Sequence, residues 1–228
     1  MTVAYNSDCM EAMAQMEDNA FQLSIVDPPY GIGDYNTPPL KDKRNGKTYA
    51  GSREKYGNIK WNNSIPSDEY FKELHRVSKN HIIFGFQFYT KYLWPELKGV
   101  IVHDFVDTSF NMSHADVAIT NLQKRTTIFR YLWVGFKKEY NNPLDKHRIH
   151  PAEKPNDLYK WLLKNYAKPG DRILDTHLGS GSSRIAAHDM GFGFVDYEID
   201  KDYFDAQEKR FQNHIKQQSL FKPNEMYT

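Results

Sequence analysis

Cysteine is almost missing from this chain: Cys9 is the single one among 228 residues. That excludes any disulfide within the chain and suits a reducing compartment, so a cytoplasmic location is expected. Cys9 itself reads as a small buried residue. Long apolar runs are missing too. No stretch approaches the length of a membrane span, and the first residues do not read as a basic-then-apolar signal. No membrane partner is expected. Charge excess is equally lacking, with 30 basic against 29 acidic side chains for a net +1 at pH 7. Bulk charge alone therefore points to no polyanion. Repeats and low-complexity segments are absent. His147 and His150 have no cysteine or acidic partner at ligand spacing, so they read as polar loop histidines and no metal is expected. Ser180 and Ser182 lack the histidine and carboxylate arrangement that would make either a nucleophile.

What is present is ordinary in bulk and specific in detail. A hydrophobic content of 39% with 26% charged residues suits a globular protein, and 14% aromatic is generous. The length fits one domain with a modest insertion. Positive charge is concentrated in two places. Residues 41–60 carry Lys41, Lys43, Arg44, Lys47, Arg53, Lys55 and Lys60 against Asp42 and Glu54. Residues 121–150 carry Lys124, Arg125, Arg130, Lys137, Lys138, Lys146 and Arg148 against Glu139 and Asp145. Tyr49, Tyr56, Tyr131 and Tyr140 are interleaved. Basic stretches with aromatic residues can grip a nucleic-acid backbone while the rest of the surface keeps the total near neutral.

Apolar patterning predicts alternating strands and helices. Phe21–Val26, His81–Phe84, Val100–Phe105, Asp116–Thr120, Phe129–Val134, Arg172–Asp175 and Gly193–Glu198 read as strands. Asp68–Ser78 reads as a helix capped by Ser67, and Asn156–Tyr166, Ser183–Met190 and Tyr203–Gln218 as further helices. Residues 31–66 lack a steady period and read as a long loop or insertion. The aromatic run Phe84–Tyr92 reads as core rather than as a base-stacking platform. Strands alternating with helices predict an α/β fold with a mainly parallel sheet.

Two motifs carry chemistry. Asp27-Pro28-Pro29-Tyr30 follows a buried strand. An exocyclic amino group on a nucleobase is a poor nucleophile, because its lone pair is delocalised into the ring. Hydrogen bonds from its two protons to an Asp27 oxygen and the Pro28 carbonyl would draw the nitrogen toward sp³ geometry. The prolines fix that carbonyl without a competing donor, and the Tyr30 ring offers a stacking face for a flipped base. The second motif runs Asp175-Thr176-His177-Leu178-Gly179-Ser180-Gly181-Ser182, a glycine turn between a strand and a helix. Glycines there admit unusual dihedrals and close backbone approach. The next strand ends at Glu198, about where an acidic residue meets ribose hydroxyls in nucleotide sites.

Together these stretches resemble the DNA amino-methyltransferases that use S-adenosylmethionine. The catalytic motif precedes the cofactor turn, as in the permuted β class. Asp8 in Tyr5-Asn6-Ser7-Asp8 is similar to the acidic motif that contacts the cofactor's adenine. His150-Pro151-Ala152-Glu153-Lys154-Pro155 is similar to the HPxxKP element. The resemblance implies a Rossmann-like fold with a mixed, mainly parallel sheet, Asp27, Pro28, Pro29 and Tyr30 as catalytic residues, and S-adenosylmethionine as cofactor. It implies a cofactor site of Asp8, Lys154, Asp175, Thr176, His177, Gly179, Ser180, Gly181, Ser182 and Glu198. The implied partner is double-stranded DNA, gripped by Lys41, Lys43, Arg44, Lys47, Arg53, Lys55, Lys124, Arg125, Lys137 and Lys138, and a homodimer is compatible. Specificity is expected to come from residues 31–64, 107–150, or both. Two departures stand out. The family has Pro-Phe where this chain has Thr176-His177, and a tryptophan-rich strand where it has His103-Asp104-Phe105. DPPY leans to adenine, whereas SPPY would lean to cytosine, so N4-cytosine transfer is the first alternative. Glutamine methyltransferases of release factors carry NPPY after the cofactor turn, and chain order argues against them. RNA or protein substrates, or a non-catalytic nucleic-acid binder, fit less well.

Overall fold

Leu23-Ser24-Ile25-Val26 has no exposed face, and in the structure all four side chains are buried. Such a strand belongs in the middle of a sheet covered on both sides. A computed structural model describes residues 1–33, 40–41, 48–49, 61–107, 113–134, 137–138 and 148–221. Leu23–Val26 (β2) lies inside an eight-stranded sheet. The other members are Thr2–Tyr5 (β1), His81–Phe84 (β5), Gly99–Asp104 (β6), Ala115–Thr120 (β7), Thr126–Arg130 (β8), Arg172–Asp175 (β11) and Gly193–Tyr197 (β12). Leu40–Lys41 (β3) pairs with Thr48–Tyr49 (β4), and Trp133–Val134 (β9) pairs with Lys137–Lys138 (β10), each as a separate antiparallel pair. The sheet order is β1-β12-β11-β2-β5-β7-β6-β8. All neighbours run parallel except β7, which is antiparallel to β5 and β6.

Strand alternation divides the core between the two faces. Leu23, Ile25, Ile82, Phe84, Ile101 and Ile173 pack on one side with Leu158, Leu162 and Leu163 of the helix Asn156–Tyr166 (α3). Ala186 and Ala187 of Ser182–Asp189 (α4) join them. Val26, Ile83 and Leu174 point to the other side. They meet Met13 of Cys9–Met13 (α1) and Phe71, Leu74 and Val77 of Asp68–Val77 (α2). Ser67 caps α2 as its sequence predicts, accepting from the Tyr70 amide. Lys201–Phe221 (α5) closes the described chain.

The expected strand Phe129–Val134 is a correction. Pairing with β6 ends at Arg130, where the Tyr131 amide still donates to the Asp104 carbonyl at 3.1 Å. The Trp133 indole then donates to the Glu153 carbonyl at 2.7 Å, which holds the chain off the sheet. Neither β1 nor α1 was expected: each is short, and β1 is completed only by pairing with β12. Among the described residues, no helix is long and apolar enough to cross a membrane. β2 and β11 are adjacent and parallel, so the turns following Val26 and Asp175 leave the same edge of the sheet. That is where ligands sit in open α/β sheets.

Candidate active site

The turn after β2 is held by residues far from it in sequence. Tyr89, fully buried, donates its hydroxyl to the Pro28 carbonyl at 2.6 Å and to the Pro29 carbonyl at 3.1 Å. The Tyr30 amide donates to Asn62 Oδ1 at 2.8 Å. Asn62 in turn donates Nδ2 to the Gly33 carbonyl and accepts the Gly33 amide on its own carbonyl. Asn62 thus ties the chain leaving the turn to the chain returning from residues 34–60. The Tyr30 ring lies so close to Gly85 that a Cβ there would sit 2.2 Å from Tyr30 Cε1. Gly85 also has φ +69°, so both space and backbone require glycine.

Asp27 stands at the centre. The Tyr30 hydroxyl donates to its Oδ1 at 2.6 Å, and Lys154 Nζ donates to its Oδ2. Lys154 is only 5% exposed and lies 3.6 Å from a second carboxylate oxygen, on Asp116. One buried ammonium between two carboxylates is a charge arrangement that survives desolvation; Lys154 without them would not. Burial and then the Asp27 charge hold the Tyr30 phenol well above its ordinary range, so Tyr30 stays a donor.

The turn after β11 is held mostly by its own neighbourhood. Asp175 accepts the His177 amide at 3.0 Å and the Ser183 hydroxyl at 2.7 Å. Burial outweighs these bonds and pushes its carboxyl up to about 7. Gly179 (φ +54°) and Gly181 (φ +76°) shape the turn into α4. The Gly179 amide donates to Glu198 Oε2 and the Asp200 amide to Oε1, both at 2.9 Å. Desolvation raises the Glu198 carboxyl. Arg210 donates to the Ser180 carbonyl at 2.9 Å and to Ser182 Oγ at 3.0 Å.

Both turns face one cavity of ≈ 270 Å³. Asp27, Pro28, Pro29 and Tyr30 line it together with Lys154, His177, Gly179, Ser180 and Glu198. Asp8, Asp175, Thr176, Gly181 and Ser182 do not. Asp8 caps α1 through the Met10 amide, and the others build the turn. Lys154 is on Asp27 rather than within the glycine turn. Sequence reasoning missed Trp61, Asn62, Tyr89, Tyr159 and Ile199, of which Trp61, Asn62, Tyr159 and Ile199 line the cavity. His150 lies in a loop as expected, but its ring is packed rather than solvated. Its ring stacks on Trp61 at 4.9 Å between centroids and meets Tyr203 edge-on at 4.5 Å. Burial and Lys154 lower it to about 3. The run Phe84–Tyr92 divides: Phe84 and Tyr89 are core, whereas Phe88 is 38% exposed and stacks on Tyr30 at 5.0 Å.

Of the basic candidates, Lys43, Arg44, Lys47, Arg53 and Lys55 lie outside the described residues, and Lys41, Lys137 and Lys138 are placed by backbone alone. Lys124 and Arg125 are exposed just before β8. Because β8 runs parallel to β6, and hence in the same direction as β2, they sit at the sheet edge opposite the cavity. Arg130, at the other end of β8, is paired with Asp104 at 3.2 Å.

A family model described as a DNA methylase of the N6/N4 type matches residues 86–209, more than half of the chain. The chain belongs to the N6/N4 DNA methylase family. The Type II methyltransferase M.HpaI of Haemophilus parainfluenzae is 21% identical, over 90% of this chain and 72% of its own. The solved M1.HpyAVI–SAM complex superposes with a TM-score of 0.58 at 18% identity, covering 92% of this chain and all of that one. The PvuII DNA methyltransferase, cytosine-N4-specific, gives a TM-score of 0.60 at 12% identity, covering 99% of this chain and 88% of that one. At these identities the structures show a shared fold, and the family match carries the class of reaction: methylation of an amino group on a DNA base.

Proposed function

We propose that this DNA methylase transfers a methyl group from S-adenosylmethionine to N6 of adenine in double-stranded DNA. The observation that carries the reading is the single cavity faced by Asp27, the Pro28 carbonyl and the Gly179–Glu198 pair. The residues fit an adenosyl cofactor. A Cβ on Gly179 would sit 3.3 Å from the His150 ring, and the φ of +54° there strains any side chain, so glycine keeps that wall open. The Glu198 oxygens each take one backbone donor, and spare lone pairs remain for ribose hydroxyls. When bound, S-adenosylmethionine supplies an electrophilic methyl group.

The chain's part is to prepare the amino group. An Asp27 oxygen and the Pro28 carbonyl are the two acceptors for its protons. Tyr89 fixes the Pro28 carbonyl with one bond, which leaves a second lone pair for the base. Lys154 and Tyr30 hold the Asp27 carboxylate in one orientation, and its remaining lone pairs can accept an N–H. The Asp27 side chain is then placed to take the amino proton as the new bond forms. Tyr30, backed by Phe88, offers the stacking ring. Residues 41–60, with Lys41, Lys43, Arg44, Lys47, Arg53 and Lys55, are the proposed backbone grip, and residues 31–64 and 107–150 the source of sequence specificity.

The DPPY tetrapeptide favours adenine. The similarity in fold to a cytosine-N4-specific enzyme makes N4-cytosine transfer the second reading. Incubation with labelled S-adenosylmethionine and varied duplex DNA, followed by digestion to nucleosides, separates the two. N6-methyl-2′-deoxyadenosine is expected. Label in N4-methylcytosine alone would overturn the adenine reading, and label in neither would overturn the activity.

A further inference from the structure

His177, in the turn after β11, reaches the cavity wall. Its Nδ1 lies 2.9 Å from Thr176 Oγ1, which lies 2.7 Å from the Tyr70 hydroxyl. The proton directions along this chain follow from what each group lacks. Tyr70 is 3% exposed and does not line the cavity. Among the described residues, the acceptor within reach of its hydroxyl is Thr176 Oγ1. A buried hydroxyl hydrogen without an acceptor is costly, so Tyr70 donates to Thr176. Thr176, itself 3% exposed, then sends its own hydrogen to His177 Nδ1. A neutral imidazole that accepts at Nδ1 must carry its proton at Nε2. The ring is neutral, because burial lowers it to about 4 against the raising pull of Asp27 and Asp8.

We infer that Tyr70 and Thr176 lock His177 in the Nε2–H form, and that this N–H is a hydrogen-bond donor to the cofactor, a contact that phenylalanine cannot make. The inference rests on the cofactor reading above and adds a recognition element to it. The chemistry required of the ligand is an uncharged or anionic acceptor. S-adenosylmethionine offers three kinds, the carboxylate of its methionine part, the ribose oxygens and the ring nitrogens of its adenine.

Calorimetric titration with S-adenosylmethionine, S-adenosylhomocysteine and methylthioadenosine, which lacks the amino-acid part, distinguishes the carboxylate from the other two. His177→Phe should weaken the first two by about tenfold, the effect of one net hydrogen bond. Equal weakening of methylthioadenosine places the acceptor on the adenosine part, and unchanged methylthioadenosine places it on the carboxylate. Tyr70→Phe should weaken binding about threefold by releasing the tautomer. Nitrogen-15 spectra of the ligand-free protein should show His177 as the Nε2–H form in wild type and as a mixture in Tyr70→Phe. An Nδ1–H ring in wild type, or unchanged affinity in His177→Phe, would overturn the inference while leaving the cofactor reading intact. A folded wild type that binds none of the three ligands would overturn both.

Discussion

The two turns that face the cavity leave adjacent parallel strands, yet they are held in opposite ways. The turn after β11 is closed mainly by groups within about one strand–helix–strand unit: Ser183 on Asp175, Glu198 on Gly179, Asp200 on Glu198. The turn after β2 is closed by Asn62, Tyr89 and Lys154, which come from three separate parts of the chain. A locally closed turn can form with its own supersecondary unit. A remotely closed one depends on the whole fold, so its geometry should be the more sensitive to distant substitutions.

The largest expected effect is at Asp27. Asp27→Ala should lower kcat by about 10²–10⁴-fold, the range for a positioned proton acceptor. Cofactor affinity, read by calorimetry, should stay within several-fold, because the second turn does not need Asp27. If Lys154 serves the first turn, Asp27→Asn and Lys154→Met should be non-additive. A double-mutant cycle on kcat should give a coupling of about 0.5–3 kcal/mol, and strict additivity would detach Lys154 from Asp27.

Next in size is a contrast between the two turns. Glu198→Ala should raise the cofactor Kd by about tenfold to a hundredfold, through lost charged hydrogen bonds. Tyr89→Phe, far from the glycine turn in sequence, should do the reverse. It should lower kcat about three- to tenfold by loosening the Pro28 carbonyl, with Kd for the cofactor unchanged. If Tyr89→Phe moved Kd and spared kcat, the two turns would not be separable.

The smallest effect is on stability. Asp196 in β12 is fully buried, and its two oxygens lack a hydrogen-bond partner among the described residues. Burial raises its carboxyl well above the ordinary range, with Arg184 pulling the other way. A carboxyl raised in the folded state favours folding at low pH and loses that contribution as pH rises above about 4, its unfolded value. Asp196→Asn carries no such penalty. Its Tm should match wild type near about pH 4 and exceed it by roughly 2–4 °C at pH 8 if the relief is near 1 kcal/mol. A difference independent of pH would mean that Arg184 keeps Asp196 ionised.

The sequence by itself determined the elements with strong local signals. His81–Phe84, Asn156–Tyr166 and Arg172–Asp175 have the bounds their patterns predict, because apolar spacing and stop signals act within a few residues. The DPPY tetrapeptide and the glycine turn were legible for the same reason: fixed φ at proline and positive φ at glycine are local constraints. Only the tertiary structure decided that β1 exists, since its hydrogen bonds go to β12 near the other end of the chain. It alone put Tyr89 on the Pro28 carbonyl, Asn62 on Tyr30, Trp61 on His150 and Lys154 on Asp27. These contacts join residues from 32 to 127 positions apart, and no periodicity or composition records a bond of that range. The sheet order creates them, by bringing the ends of β2 and β11 to one edge and requiring each buried polar group there to find a partner.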